Sequence, residues 1–243
     1  MKTQTPHNKF AAFDIDGTLM RWQLFHTVVN ELARRNRVTM NEYKTMVELL
    51  SNWKRRSEPS SFYAYDEAAI KTWFAIIKTL SLEEYHDAIQ KVFEKQKDFT
   101  YSYTRQLIRT LKNDGYTILA ISGSHQEIVQ LVAEYYGFDI AIGTTYPVKD
   151  GKFTGEEITP VTAKGEVLRT LVERYNLDWR ESYAVGDSRS DAKMLELVDH
   201  PIAFNPDENL LTLAKAHGWT IVIERKNVTH KLVHESGSYT LAE

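Results

Sequence analysis

The sequence predicts an α/β fold: a mainly parallel, doubly wound sheet interrupted by an all-helical insertion. Three observations carry this. From residue 102 onward, short apolar runs alternate with helical periodicity, the pattern of successive βαβ units. The first apolar run, Phe10-Ala11-Ala12-Phe13, ends in two carboxylates, Asp14 and Asp16, before Gly17. Residues 20–100 then show helical periodicity without a convincing buried strand.

In chain order, residues 9–14 read as a buried strand. The insertion contributes helices near 22–35, 39–55, 66–79 and 81–96, with Ser81 and Glu84 spaced as a capping box. Pro59 and the serines at 57, 60 and 61 separate its second and third helices. A helix at 102–113 precedes Asp114-Gly115 and a strand at 116–122; helices follow at 124–136, 162–175 and 207–217, with strands at 139–142, 182–186, 201–204 and 219–223. Asp150-Gly151 lies between two short β-prone runs in 144–155, a hairpin signal and a small antiparallel excursion from the parallel sheet. Residues 226–243 read as a polar tail to which no structure is assigned.

Composition narrows the function. A net charge of −3 argues against a general nucleic-acid binder, which needs a basic field. The absence of cysteine removes disulfide and thiolate chemistry and fits a reducing, cytoplasmic setting. The segment MKTQTPHNKF has no apolar core of a leader, and no run approaches the roughly 18 apolar residues that span a bilayer, so no membrane partner is expected. Asn227-Val228-Thr229 matches a glycosylation acceptor by chance.

Chemistry-bearing residues recur at strand ends. Side chains two apart in a strand share a side, so Asp14 and Asp16 can serve one metal and one phosphate at the carboxyl edge of the sheet. Ser122, with the backbone N–H groups of Gly123 and Ser124 at a helix start, makes an anion-binding arrangement. Lys164 is a compact positive charge at a helix start, suited to phosphate. Asp187 and Asp191, in Gly186-Asp187-Ser188-Arg189-Ser190-Asp191, add hard oxygen ligands that suit magnesium. Each alone has a plainer reading: a turn, a helix-entry serine, a solvated lysine, a helix cap. Their order along the chain is the specific signal.

That order, DxDGT, strand-end serine, lysine, GDxxxD, resembles the haloacid dehalogenase superfamily, and most closely its phosphoserine-phosphatase-like branch. The resemblance covers nearly the whole chain. It implies a Rossmann-like core at 1–19 and 101–225 with 20–100 as a helical cap. It implies Asp14 as nucleophile forming an aspartyl-phosphate, and Asp16 as general acid and then base. Mg2+ would be held by the Asp14 side chain, the Asp16 carbonyl and Asp187, with Asp191 in support. Ser122, Gly123 and Lys164 would bind the phosphoryl group. Asp16 favours a phosphatase over a dehalogenase, because an alkoxide leaving group profits from an acid and halide does not.

The implied partner is a small phosphorylated metabolite. Trp22, Gln23, Phe25, Arg55 and Arg56 are the candidates for choosing it. In phosphoserine phosphatases the position of Gln23 is a glutamate that recognises the substrate's ammonium group. A neutral amide binds an ammonium less well, which weighs against phosphoserine without excluding it. Two alternatives share the motifs: a phosphotransferase or mutase, and a binding or regulatory protein that kept the fold without turnover.

Overall fold

A computed structural model describes residues 8–58, 60–235 and 237–242; Pro59 and residues 1–7 of the segment read above for a leader lie outside the described residues. The chain divides into two compact units. One comprises 1–22, 97–144 and 159–243; the other comprises 23–96 and 145–158.

The first unit is built on an eight-stranded sheet. Its strands are β1 (Lys9–Phe13), β2 (Thr117–His125), β3 (Ile140–Thr144), β6 (Asp178–Gly186), β7 (His200–Phe204), β8 (Thr220–Arg225), β9 (Val228–Glu235) and β10 (Ser238–Leu241). The order is β10-β9-β8-β7-β6-β1-β2-β3. β1 is central because it can be: Phe10, Ala11, Ala12 and Phe13 are all fully buried, as a parallel strand covered on both faces requires. Burying each phenylalanine contributes about 1.5–3 kcal/mol. β1 pairs in parallel with β2 on one side and β6 on the other. The chain therefore winds outward one way through β2 and β3, then restarts beside β1 at β6. The C-terminal ends of β1 and β6 form the switch point where such sheets bind ligands. The helices α5 (Ser102–Asn113), α6 (Gln126–Tyr136), α7 (Lys164–Arg174), α8 (Ala192–Leu195) and α9 (Glu208–His217) connect the strands.

The second unit holds α1 (Leu24–Leu32), α2 (Met40–Arg55), α3 (Ser61–Ile77) and α4 (Leu82–Gln96), with the hairpin β4 (Val148–Lys149) and β5 (Lys152–Phe153). Ser81 and Glu84 make the expected capping box. The hairpin turns through Asp150 and Gly151 at φ 51 and 74, both in the left-handed region. It packs with the helices: Phe153 meets Tyr85 edge-on at 5.2 Å, and Tyr146 meets Trp73 at 4.7 Å.

Five details differ from the sequence reading. α1 stops at Leu32 and a π-helical turn, Ala33–Arg37, replaces its last turn. α3 begins at Ser61 rather than 66, where the Ser61 hydroxyl accepts the Glu58 N–H at 3.0 Å. Residues 145–158 group with the helices and not with the sheet. The supposed polar tail forms β9 and β10, which pair antiparallel onto β8. Leu232 and Tyr239 pack against the core from a mostly polar hairpin, and the Tyr239 hydroxyl donates to the carbonyls of Ala214 and Trp219 at 2.7 and 2.9 Å.

β2 also runs three residues past Ser122, so α6 starts at Gln126 and not at 124. This buries His125 completely, and burial lowers its imidazole to about 3. The folded state thus keeps His125 neutral where the unfolded chain takes up a proton. Its contribution to stability is present above pH 6.5 and is lost as pH falls from 6.5 toward 3. We expect unfolding free energy measured by denaturant titration to fall across that window with a slope of up to about one proton, and His125→Asn to flatten it.

Candidate active site

The first carboxylate, Asp14, follows β1 directly and is buried. Its N–H donates to the Val185 carbonyl of β6 at 2.9 Å, so it stands at the switch point. Its Oδ1 accepts the Lys164 ammonium at 2.6 Å, while its Oδ2 is buried and has no hydrogen-bond partner. Lys164, the first residue of α7, also donates to Asp191 Oδ1 at 2.6 Å. The other Asp191 oxygen accepts the N–H groups of Asp187 and Ser188 at 3.1 and 3.0 Å. Asp191 is thereby saturated, and it shapes the turn that presents Asp187.

Among the described residues, Asp14, Asp187 and Asp191 each offer an oxygen lying within 4.8 Å of the others. Their electrostatics follow from crowding in a dry place. Burial pushes Asp14 up to about 7; Lys164 opposes this, and the charges of Asp191 and Asp16 add to it. Removal from water, with Asp14 and Asp191 nearby, raises Asp187 well above the usual carboxylate range. Burial disfavours the Lys164 charge, but Asp14 and Asp191 outweigh burial and hold it charged. Three carboxylates facing one ammonium leave a formal excess of two negative charges. The orphaned Asp14 Oδ2 and this all-oxygen donor set fit a hard divalent cation.

Asp16 takes a different partner. Its Oδ2 accepts the Ser122 hydroxyl at 2.8 Å, and Ser122 Oγ accepts the Ser124 N–H at 3.0 Å. Gly123 sits against the segment before α7: a Cβ there would fall 2.5 Å from the Val161 side chain. The structure thus brings together Asp14, Asp16, Ser122, Gly123, Lys164, Asp187 and Asp191 within the sheet unit.

Gly17, which the sequence marks as the point where the chain leaves the strand sharply, and Gly186 carry a further requirement in the structure. Gly17 has φ +87, and a Cβ on it would lie 2.0 Å from Asp187 Oδ2. A Cβ on Gly186 would lie 2.4 Å from Asp191 Cβ. Both glycines let carboxylates approach backbone, a need that Asp-Gly and Gly-Asp pairs signal only weakly.

The five specificity candidates are divided between the two units. Trp22 closes the first segment of the sheet unit. The other four belong to the helical unit. Gln23 is the N-cap residue of α1 and makes no side-chain cap hydrogen bond. Phe25 lies edge-on to His26 at 5.6 Å. Arg55 ends α2 and lines a surface cavity of about 500 Å³ with Met40, Lys44 and Glu48. Arg56 is exposed and terminates α2 in the left-handed conformation at φ 53.

The family model of haloacid dehalogenase-like hydrolases matches residues 11–196, which span this whole constellation. The chain belongs to that family. A phosphoserine phosphatase of Methanocaldococcus jannaschii is 28% identical over 199 residues, covering 81% of this chain and 85% of the relative. A histidinol-phosphatase of Neisseria meningitidis serogroup C is 27% identical, covering 87% and 97%. A crystal structure of a Bordetella pertussis Tohama I protein of unknown function shares the fold at a TM-score of 0.71 and 23% identity, covering 90% and 99%. Within the family the chain is a phosphatase of the phosphoserine-phosphatase-like branch, a phosphoric monoester hydrolase. No described helix is long and apolar enough to cross a membrane.

The close approach at Gly17 gives a direct check. Gly17→Ala must displace Asp187 or distort the loop. We expect at least a tenfold loss of phosphatase activity and weaker divalent-cation binding by calorimetry, with the circular dichroism spectrum unchanged.

Proposed function

We propose that the protein is a Mg2+-dependent phosphomonoesterase that hydrolyses a small phosphate ester through an aspartyl-phosphate on Asp14. The observation that carries this is the state of Asp14: buried at the end of β1, one oxygen held by Lys164, the other without a partner. A carboxylate oxygen of Asp14 is the attacking atom. Phosphoryl transfer needs positioning and charge neutralisation above all, and an anionic nucleophile meets an anionic phosphate only where cations stand between them. Lys164 supplies one positive charge. Asp14, Asp187 and the Asp16 carbonyl would hold Mg2+, with Asp191 in support; when bound, the ion neutralises the carboxylate excess and the phosphoryl charge.

In the first step the bond from Asp14 to phosphorus forms as the ester P–O bond breaks, and Asp16 passes its proton to the departing oxygen. In the second, Asp16 takes a proton from water as the water attacks the acyl phosphate, which frees Asp14. Ser122 and the Gly123 backbone bind the phosphoryl oxygens, and Ser122 holds Asp16 in place. The two relatives named for phosphoserine and histidinol phosphate both suggest phosphate esters of small amino alcohols, so these lead the candidates, ahead of polyol and sugar phosphates. The helical unit carries the candidate selectors Gln23, Phe25, Arg55 and Arg56, and we place the protein's work among soluble metabolites of the cytoplasm.

Two experiments test this. Purified protein with Mg2+ should release phosphate from some member of a panel of amino-alcohol, polyol and sugar phosphates; EDTA should abolish release and added Mg2+ restore it. Silence across the panel, or release unaffected by EDTA, overturns the reading, and phosphate passed to added alcohols instead of water marks a phosphotransferase. Asp14→Asn keeps the side chain's size without its charge, so it should lower kcat by about 10³-fold or more with the thermal melting point retained. Full activity in that variant removes Asp14 as nucleophile.

A further inference from the structure

We propose that Glu224 is a positioning residue for Asp16, acting through Arg21. This rests on the reading of Asp16 as the acid for the leaving group. Glu224 lies on β8, buried, and its carboxylate is fully occupied. One oxygen accepts Arg21 Nη2 at 2.7 Å and the Ser102 N–H at 3.1 Å; the other accepts the Tyr103 N–H at 2.8 Å. Ser102 and Tyr103 open α5, whose own N-cap residue, Tyr101, makes no side-chain cap bond. Glu224 is thus a helix cap delivered from another strand, favoured by the positive helix N-terminus. It uses its remaining acceptor capacity to hold a guanidinium.

Arg21 is the far anchor of the loop that carries both aspartates. Its Nε donates to the Thr100 carbonyl at 2.8 Å, and its guanidinium lies 4.7 Å from the Tyr101 ring centre. Its own N–H donates to the Phe99 carbonyl and the Tyr101 N–H to the Leu19 carbonyl, both at 2.9 Å. Residues 19–21 and 99–101 form a short antiparallel ribbon, with Met20 bridged to Thr100. Met20 is also bridged in parallel to Asp16, and its carbonyl accepts the Gly17 N–H at 2.9 Å. A chain of contacts therefore runs from Glu224 to Arg21, along the ribbon to Met20, and so to the backbone of Asp16. Asp14 has independent anchors in β6 and Lys164. Releasing the clamp therefore moves Asp16 more than Asp14.

The chemistry offers a readout that lost stability alone does not move. When the ester P–O bond breaks, an alkyl leaving oxygen needs the proton of Asp16, whereas p-nitrophenolate leaves as a stable anion without one. The leaving group departs in the first step, so kcat/KM reports that step whatever limits turnover. Arg21→Gln, Arg21→Lys and Glu224→Gln would be assayed with p-nitrophenyl phosphate and with the alkyl phosphate from the panel above that the wild type turns over best.

We expect Arg21→Gln and Glu224→Gln to lose tenfold or more in kcat/KM on the alkyl ester and less than twofold on p-nitrophenyl phosphate. Arg21→Lys should recover most of the loss. Equal losses on both esters, or no loss on either, overturn the proposal. If Glu224→Gln fails to fold, Arg21→Gln decides alone, because its side chain is 41% exposed and the Glu224 cap of α5 survives in it. A wild type that hydrolyses neither ester overturns the functional reading and this proposal together. A wild type active on both, with the ester ratio unchanged in Arg21→Gln, overturns the proposal only.

Discussion

The structure depends on holding like charges together out of water. Asp14, Asp187 and Asp191 converge with one ammonium, Lys164, to oppose them. Desolvating a charged group costs several kcal/mol per ion even after relaxation, and one lysine cannot offset three carboxylates. The protein manages the excess locally. Asp191 is saturated by Lys164 and two backbone N–H groups, and the remaining deficit falls on Asp14 and Asp187. Both are pushed toward protonation when no further cation is present. On the proposed reading a bound divalent ion would resolve that conflict, and the crowding that strains the site without an ion is what would draw one in.

The fold is arranged to make this convergence possible. Asp14 and Asp187 leave neighbouring strands, β1 and β6, at the same edge, since the two pair in parallel from Ala11 to Phe13. Lys164 arrives at the start of α7, where a positive side chain gains nothing from the helix dipole and depends on its carboxylate partners. Glycine at 17 and 186 is then obligatory, because carboxylate groups occupy the space where side chains would stand. A core of fully buried apolar strands holds these positions, and the stability it supplies offsets the electrostatic strain.

Much of this was legible in the sequence because it is local. The apolar run before Asp14 read as a buried strand, and the ordered motifs placed the polar cluster at strand ends. What escaped is of three kinds. β9 and β10 were missed because Leu232 and Tyr239 pack against the core while Val228 and Leu241 are exposed, so the few apolar residues of a mostly polar hairpin make no pattern. The extension of β2 to His125 was missed because Ser-Gly-Ser reads as a helix entry, whereas pairing of His125 with Thr144 on β3 keeps the chain extended. The Arg21–Glu224 pair was invisible because it joins residues 203 apart, and no spacing rule connects them.

The two aspartates of the first motif look equivalent in sequence, and the structure separates them by their partners. Asp14 faces an ammonium, which can only donate and therefore opposes the effect of burial on the carboxylate; on the proposed mechanism this is the group that attacks. Asp16 faces the Ser122 hydroxyl, which can donate to a carboxylate or, by turning its hydrogen, accept from a carboxylic acid. A group that gives a proton in one step and takes one in the next needs a partner tolerant of both states, and a serine meets that need where a lysine does not. On the proposed mechanism, the assignment of nucleophile and acid therefore follows from what stands opposite each carboxylate.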